Sequence, residues 1–267
     1  MRLLIDDTFA TATYTAPIVS GWVSPPNGIA VEIVHRLKPD IVSDESIALV
    51  SSSEILRFQQ THAVFSDVAV VADTHGAITM RTPVRPDEVE ATPVRLLDTG
   101  GIAELLARAT LRPYYGIEPT SWVRDGDAPD AARAEVVIVE GAEALREPEG
   151  GYSEDLSRAW FILTAQPVVT HVLLVPRELP RDLLHKTVAF LKAARGEGLA
   201  RRRDWRPQLA DREAVGRDRA SAFWAAQRLK LEEVDRRALL DLLQKGSRGT
   251  TSAPPMNVTF IDGASTA

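Results

Sequence analysis

Three hydroxyl side chains in a row, Ser51-Ser52-Ser53, follow the apolar run Ile47-Ala48-Leu49-Val50, and a helical stretch begins at Glu54. A strand that hands over to a helix through serines presents hydroxyls beside free backbone N–H groups, which can hold an anion without a metal. The plain alternative is an N-cap serine with two solvated neighbours. Asp98-Thr99-Gly100-Gly101 sits in the same way between a strand at residues 93–97 and a helix at residues 102–111. Its glycines let backbone N–H groups approach a ligand, and a capped tight turn is the alternative. No Gly-Lys-Ser/Thr follows and the third glycine of a dinucleotide fingerprint is missing, so neither nucleotide motif is present. Gln166-Pro167 interrupts the apolar stretch from Trp160 to Val175, flanked by Thr164 and Thr170. It reads as a bend at a cleft or hinge, or as a β-bulge.

The histidines are His35, His62, His75, His171 and His185, none in an HxxxH or HExxH pair, and there is no cysteine. No metal site is expected from such a set, and disulfides are excluded. His75, in Asp73-Thr74-His75-Gly76, is the histidine best placed to face a cleft, with a surface-loop histidine as the ordinary reading. No Gly-x-Ser-x-Gly elbow supports a serine hydrolase.

The elements that must position these residues alternate. Strands are read at residues 2–5, 29–34, 47–50, 64–72, 77–81, 93–97, 135–139, 160–164 and 168–175. Helices are read at residues 54–60, 102–111, 141–145, 181–194, 212–230 and 232–243, with breaks at Gly196, Gly198, Pro207 and Gly246. Residues 10–20, rich in Thr, Ala and Pro, have no clear assignment. Alternation over the first 175 residues or so argues for mostly parallel sheets. At the other end, residues 256–261 read as a disordered tail or an edge strand.

The chain has 267 residues, 45% of them apolar and 25% charged, enough for one large α/β domain or two lobes. A net charge of −6 argues against nucleic acid or an anionic membrane as partner. No apolar run approaches a membrane-spanning length, and Met-Arg-Leu-Leu-Ile-Asp-Asp is no signal-peptide core, so a cytoplasmic location is expected.

These segments resemble the chorismate dehydratase family of menaquinone biosynthesis over residues 1–245. Ser51-Ser52 with Glu54 is similar to the family's strand-Ser-Ser-x-Glu segment. Residues 92–106 followed by Tyr115-Gly116-Ile117 are similar to its second-lobe strand, turn and helix. Gly141 with Glu143-Ala144-Leu145 is similar to its Gly-Asp-Glu-Ala-Leu segment, and Trp160, Leu163-Thr164 and Pro167 to its Trp-x-x-Leu-Thr-x-x-Pro crossover. Two positions depart: Thr11 stands where the family has a cleft asparagine, and Ala142 replaces an acid, with Glu140 displaced to the other side of Gly141.

The resemblance implies a two-lobed α/β fold like that of type II periplasmic binding proteins, with an interlobe cleft and two crossover strands. Lobe one would be residues 1–78 plus 170–245, lobe two residues 79–169, and residues 246–267 a C-terminal tail. The implied activity is removal of water from chorismate in the futalosine route, with no metal or redox cofactor. The implied ligand bears carboxylates, held by Thr11, Ser51, Ser52, Thr99, Gly100, Gln166 and Thr170. Asp6, His75 and Glu140 are the candidates for the base. The other reading is a cytoplasmic solute-binding protein or sensor that captures a small organic anion unchanged.

Overall fold

In the computed structural model, which describes residues 1–124, 133–248 and 256–263, the chain opens on β1 (Arg2–Asp7). Its Leu3, Leu4 and Ile5 are all fully buried, so the strand needs cover on both faces. The chain continues through α1 (Ala12–Val19), β2 (Ala30–His35), β3 (Ile47–Ser51), α2 (Ile55–Phe58) and β4 (His62–Ala72). It then crosses to β5 (Ile78–Thr82), β6 (Ala91–Leu97), α3 (Gly101–Thr110), β7 (Glu118–Arg124), β8 (Val136–Glu140), α4 (Ala142–Leu145), β9 (Tyr152–Asp155) and α5 (Leu156–Thr164). It returns through β10 (Val168–Pro176), α6 (Arg181–Ala200), α7 (Arg202–Arg212), α8 (Arg217–Ala225), α9 (Glu233–Gly246) and β11 (Phe260–Ile261).

Two sheets result, ordered β11-β4-β10-β3-β1-β2 and β7-β6-β8-β5-β9. Each is parallel except for one strand. β10 runs antiparallel to both β3 and β4, and β5 antiparallel to both β8 and β9. These are the first strands laid down after each crossing, so each enters its sheet from the opposite end. Ala77 and Ala165, at the two crossings, adopt left-handed backbone with φ of 50° and 54°. Apolar cores fill both faces of the first sheet, and a third core lies between the second sheet, α3 and α5. On α6, Gly198 lets the carbonyl of Thr13 in α1 approach where a Cβ would collide. Gly246 does the same at the end of α9, where a Cβ would lie 2.5 Å from the carbonyl of Leu105 in α3.

Several sequence expectations change; Gly196 and Gly198, read as breaks, lie inside α6, and β7 and β9 are strands that were not expected. The unassigned residues 10–20 contain α1, in which Tyr14 is fully buried and donates its hydroxyl to the carbonyls of Ala69 and Leu229. Residues 160–164, expected as a strand, end α5: their apolar types read as β, but only Trp160 is buried, and the helix is started by an Asp155 cap. The expected helix at residues 212–230 is divided, because Ala214 turns left-handed with φ 52° before Gly216, the N-cap of α8, while Pro207 lies inside α7. In the tail, Phe260 and Ile261 pair with Val64 and Phe65 of β4, and residues 249–255 and 264–267 lie outside the described residues. Among the described residues no helix is long and apolar enough to cross a membrane.

Asp155 caps α5 by accepting from the backbone N–H groups of Ser157 at 2.8 Å and Arg158 at 3.4 Å. Burial pushes its carboxyl up from 3.8 to about 6, against the opposing pull of those two donors and of nearby His75. The folded state therefore holds this proton more tightly than the unfolded chain. Its contribution to stability is fully present below the unfolded value of 3.8 and is lost as pH rises to about 6. Asp155→Asn is neutral throughout. The melting temperature of the wild type relative to Asp155→Asn is expected to fall between about pH 4 and about pH 6.5 and to level off above that. A difference that is flat across this range would remove burial as the dominant influence on Asp155.

Candidate functional site

The C-terminal ends of the parallel strands of the two sheets face each other, which is where open α/β sheets place their ligands. Thr8 follows β1, Arg36 follows β2, Ser51 ends β3, Asp98 follows β6 and Glu140 ends β8. A cleft of about 750 Å³ opens among them, with Thr8, Arg36, Asp98, Glu140, Arg146 and Trp205 in its lining.

Arg36 ties the two sides together. Its Nη1 donates to Glu140 Oε2 at 3.1 Å, its Nη2 donates to the Asp98 carbonyl at 2.5 Å, and its Nε lies 3.3 Å from Asp98 Oδ1. Arg36 and Asp98 both have left-handed backbone, φ 51° and 46°. Non-glycine residues adopt that conformation rarely, and where they do so in pairs the surroundings hold them there. Glu140 also accepts the backbone N–H of Gly100, at 2.6 Å, immediately before α3. The N–H expected to meet an anion thus meets a carboxylate of the protein itself.

Ser51 and Ser53 share a hydrogen bond of 2.9 Å, and Ser53 donates to Glu54 Oε1 at 3.3 Å. They lie directly against the glycines of the second sheet. A Cβ on Gly101 would collide with Ser53 Oγ, and one on Gly100 would sit 3.3 Å from Glu140 Oε2 and 3.8 Å from Ser51 Oγ. The glycines allow the start of α3 to touch the end of β3. Burial there pushes the Glu54 carboxyl up, with Asp6 adding to the effect and Ser53 and Arg57 opposing it.

Behind Thr8 lies a buried polar chain. Thr170 Oγ1 donates to the Val70 carbonyl at 3.3 Å, so its remaining contact, His171 Nδ1 at 3.1 Å, is a donor to it. In the neutral ring that assignment leaves His171 Nε2 as an acceptor, 3.3 Å from Thr8 Oγ1. Asp6 Oδ2 lies 3.6 Å from the same nitrogen and supplies a counter-charge when a proton arrives there. Asp6 Oδ1 is fixed by the backbone N–H of Leu37 at 2.9 Å. Thr11, fully buried, donates to the Asp6 carbonyl at 2.5 Å and accepts from the backbone N–H of Thr8 at 3.0 Å.

The candidates named from sequence therefore fall into separate places. Glu140 lines the cleft, and Ser51 and Gly100 touch beside it. Asp6, Thr11 and Thr170 belong to the buried network under Thr8. Ser52 is fully buried and donates to the Val169 carbonyl at 2.6 Å, joining β3 to β10. Thr99 Oγ1 and Gln166 Oε1 are buried without a hydrogen-bond partner among the described residues. His75 is exposed on the first crossing, beside Thr74, and does not line the cleft. Sequence reasoning missed Thr8, Arg36 and the role of His171. The available signal was position alone: a polar or charged residue one place beyond the end of a strand. No group of His, Asp and Glu among the described residues is arranged to hold a metal ion.

Two α/β lobes, each completed by an antiparallel strand entering from the other and facing across a cleft, define a type II periplasmic-binding-protein-like fold. Protein AF1704 of Archaeoglobus fulgidus is similar in structure at 13% identity, with TM-score 0.66, covering 92% of this chain and 96% of that one. The periplasmic aliphatic sulphonate binding protein SsuA of Escherichia coli is similar at 11% identity, TM-score 0.63, covering 98% and 94%. The Candida albicans CA3427 gene product, with the generic periplasmic binding protein fold, is similar at 8% identity, TM-score 0.59, covering 94% and 91%. No curated protein matches the chain by sequence. Residues 17–248 match the model of the menaquinone biosynthesis family, and the chain belongs to that family.

Proposed function

We propose that this protein, whose family places it in menaquinone biosynthesis, is a hydro-lyase that removes water from chorismate. The observation that carries the reading is a carboxylate and a histidine-backed hydroxyl in one interlobe cleft: Glu140 from the second lobe, Thr8 with His171 from the first. Glu140 takes the ring proton from the carbon that bears the enolpyruvyl ether. The C–H electron pair becomes a ring double bond as the neighbouring C–O bond breaks. The departing hydroxide leaves as water, its second proton given by Thr8 Oγ1 and replaced from His171, which enters the reaction protonated at Nε2 with Asp6 as its counter-charge. Aromatisation provides much of the driving force. A base and a proton donor on opposite walls suit such an elimination, because each must reach a different atom of the same ring.

Purified protein mixed with chorismate is expected to yield the aromatic enolpyruvyl benzoate, followed by absorbance and chromatography. Chorismate recovered unchanged would sink the lyase reading. If it also raised the melting temperature, the protein would be a binder of small organic anions, the reading favoured by the tie between Glu140 and Gly100 that already fills an anion position.

A further inference from the structure

We propose that Arg36 is the residue that recognises a ligand carboxylate, and that Glu140 and Asp98 hold its guanidinium until the ligand takes their place. This rests on the reading above that the ligand bears a carboxylate. Three arginines line the cleft, and each is engaged by an acid. Arg146 donates to Glu143 Oε2 at 2.6 Å, and Arg212 lies 3.1 Å from Glu213. In both cases the acid belongs to the same wall or to the adjoining residue. Arg36 differs in three ways. It is the least exposed, with 23% of its side chain accessible against 38% for Arg146 and 71% for Arg212. Its acidic partners, Asp98 and Glu140, come from the opposite lobe, so the pairing exists only while the lobes are together. Its backbone and that of Asp98 are both left-handed, so both ends of the contact are aimed against local preference.

A planar guanidinium takes one carboxylate in a two-point contact better than it takes two from separate directions. Here one face is divided between a Glu140 oxygen and the Asp98 carbonyl. The Asp98 carboxylate is 67% exposed, so water competes for its contact with the Arg36 Nε. A ligand carboxylate entering the cleft exchanges for these partners. Glu140 then keeps its contact with the Gly100 N–H and loses its contact with Arg36. The arriving substrate would in this way release the base that acts on it. The exchange also selects ligands: a neutral amide of the same shape has no charge with which to displace Glu140.

Calorimetry with 3-hydroxybenzoate and its neutral amide, 3-hydroxybenzamide, tests this without turnover. The wild type is expected to favour the acid about 10- to 100-fold, and Arg36→Gln to bring acid and amide within about threefold of each other. Asp98→Asn, which removes a competitor, is expected to tighten the acid several-fold and leave the amide unchanged. A loss of fold would weaken both ligands alike, so the acid-to-amide ratio isolates recognition. If Arg36→Gln keeps the wild-type ratio, or if the wild type shows no preference, the exchange is overturned. If the ratio collapses as expected while chorismate is never consumed, the lyase reading fails and this one stands. If chorismate is consumed and Arg36→Gln leaves both KM and the ratio unaltered, the reverse holds.

Discussion

Glu140→Gln is expected to lower the turnover of chorismate by about 10²–10⁴-fold, the usual contribution of a general base. The loss should fall on kcat. The amide keeps the size of the side chain and still accepts the Gly100 N–H, so α3 stays in place. It no longer competes as an anion for Arg36, so KM should hold steady or fall. A variant turning over within about threefold of the wild type would remove Glu140 from the chemistry. Among Asp6, His75 and Glu140, position favours Glu140. Asp6 is buried beneath Thr8, and His75 is exposed on the crossing between lobes. Only Glu140 of the three lines the cleft.

Asp235→Ala is expected to destabilise the protein by about 3 kcal/mol, read from urea or thermal unfolding. Asp235 is fully buried in the first turn of α9. It accepts from Arg228 at 2.6 and 2.8 Å and from the backbone N–H of Glu232 at 2.7 Å, and it closes a capping box with Glu232. Removing it takes away both the cap and the main partner of a cation, whereas a surface pair such as Arg85–Asp87 contributes about 1 kcal/mol or less. The figure sits at the low end for a broken buried pair because Arg228 is about one-third exposed and keeps Asp73 at 3.1 Å. Arg228 also pairs through its backbone with Val71 of β4, so the loss should loosen α9 from the first sheet. A change below about 1 kcal/mol would mean that water replaces the carboxylate at little cost.

The strand ends and glycine turns were legible because their chemistry is local. Val50 into Ser51-Ser52-Ser53, and Leu97 into Asp98-Thr99-Gly100-Gly101, mark where chain direction changes, and both lie at the interlobe contact. The resemblance likewise pointed to the two-lobed fold and the family. Arg36 was not legible, because its partners Asp98 and Glu140 are 62 and 104 residues away and no periodicity links them. His171 sits in an apolar strand, and only the fold brings Thr8, 163 residues distant, to its Nε2. Residues 160–164 misled for the opposite reason. Phe161, Ile162 and Leu163 carry strong strand character, yet they are partly or well exposed on a helix whose start is dictated by Asp155.

The place of β10 governs the order in which the chain can be completed. It lies between β3 and β4 in the first sheet, yet it is synthesised after all of β5 to β9. Until residues 168–176 leave the ribosome, β3 and β4 each carry an unpaired edge rich in apolar residues. The second lobe, contiguous from β5 to α5, can form its sheet during that interval. The first lobe must wait, and exposed strand edges are where nascent chains associate wrongly. Interrupting synthesis between α5 and β10 should therefore yield chains with a formed second lobe and a first lobe prone to aggregation.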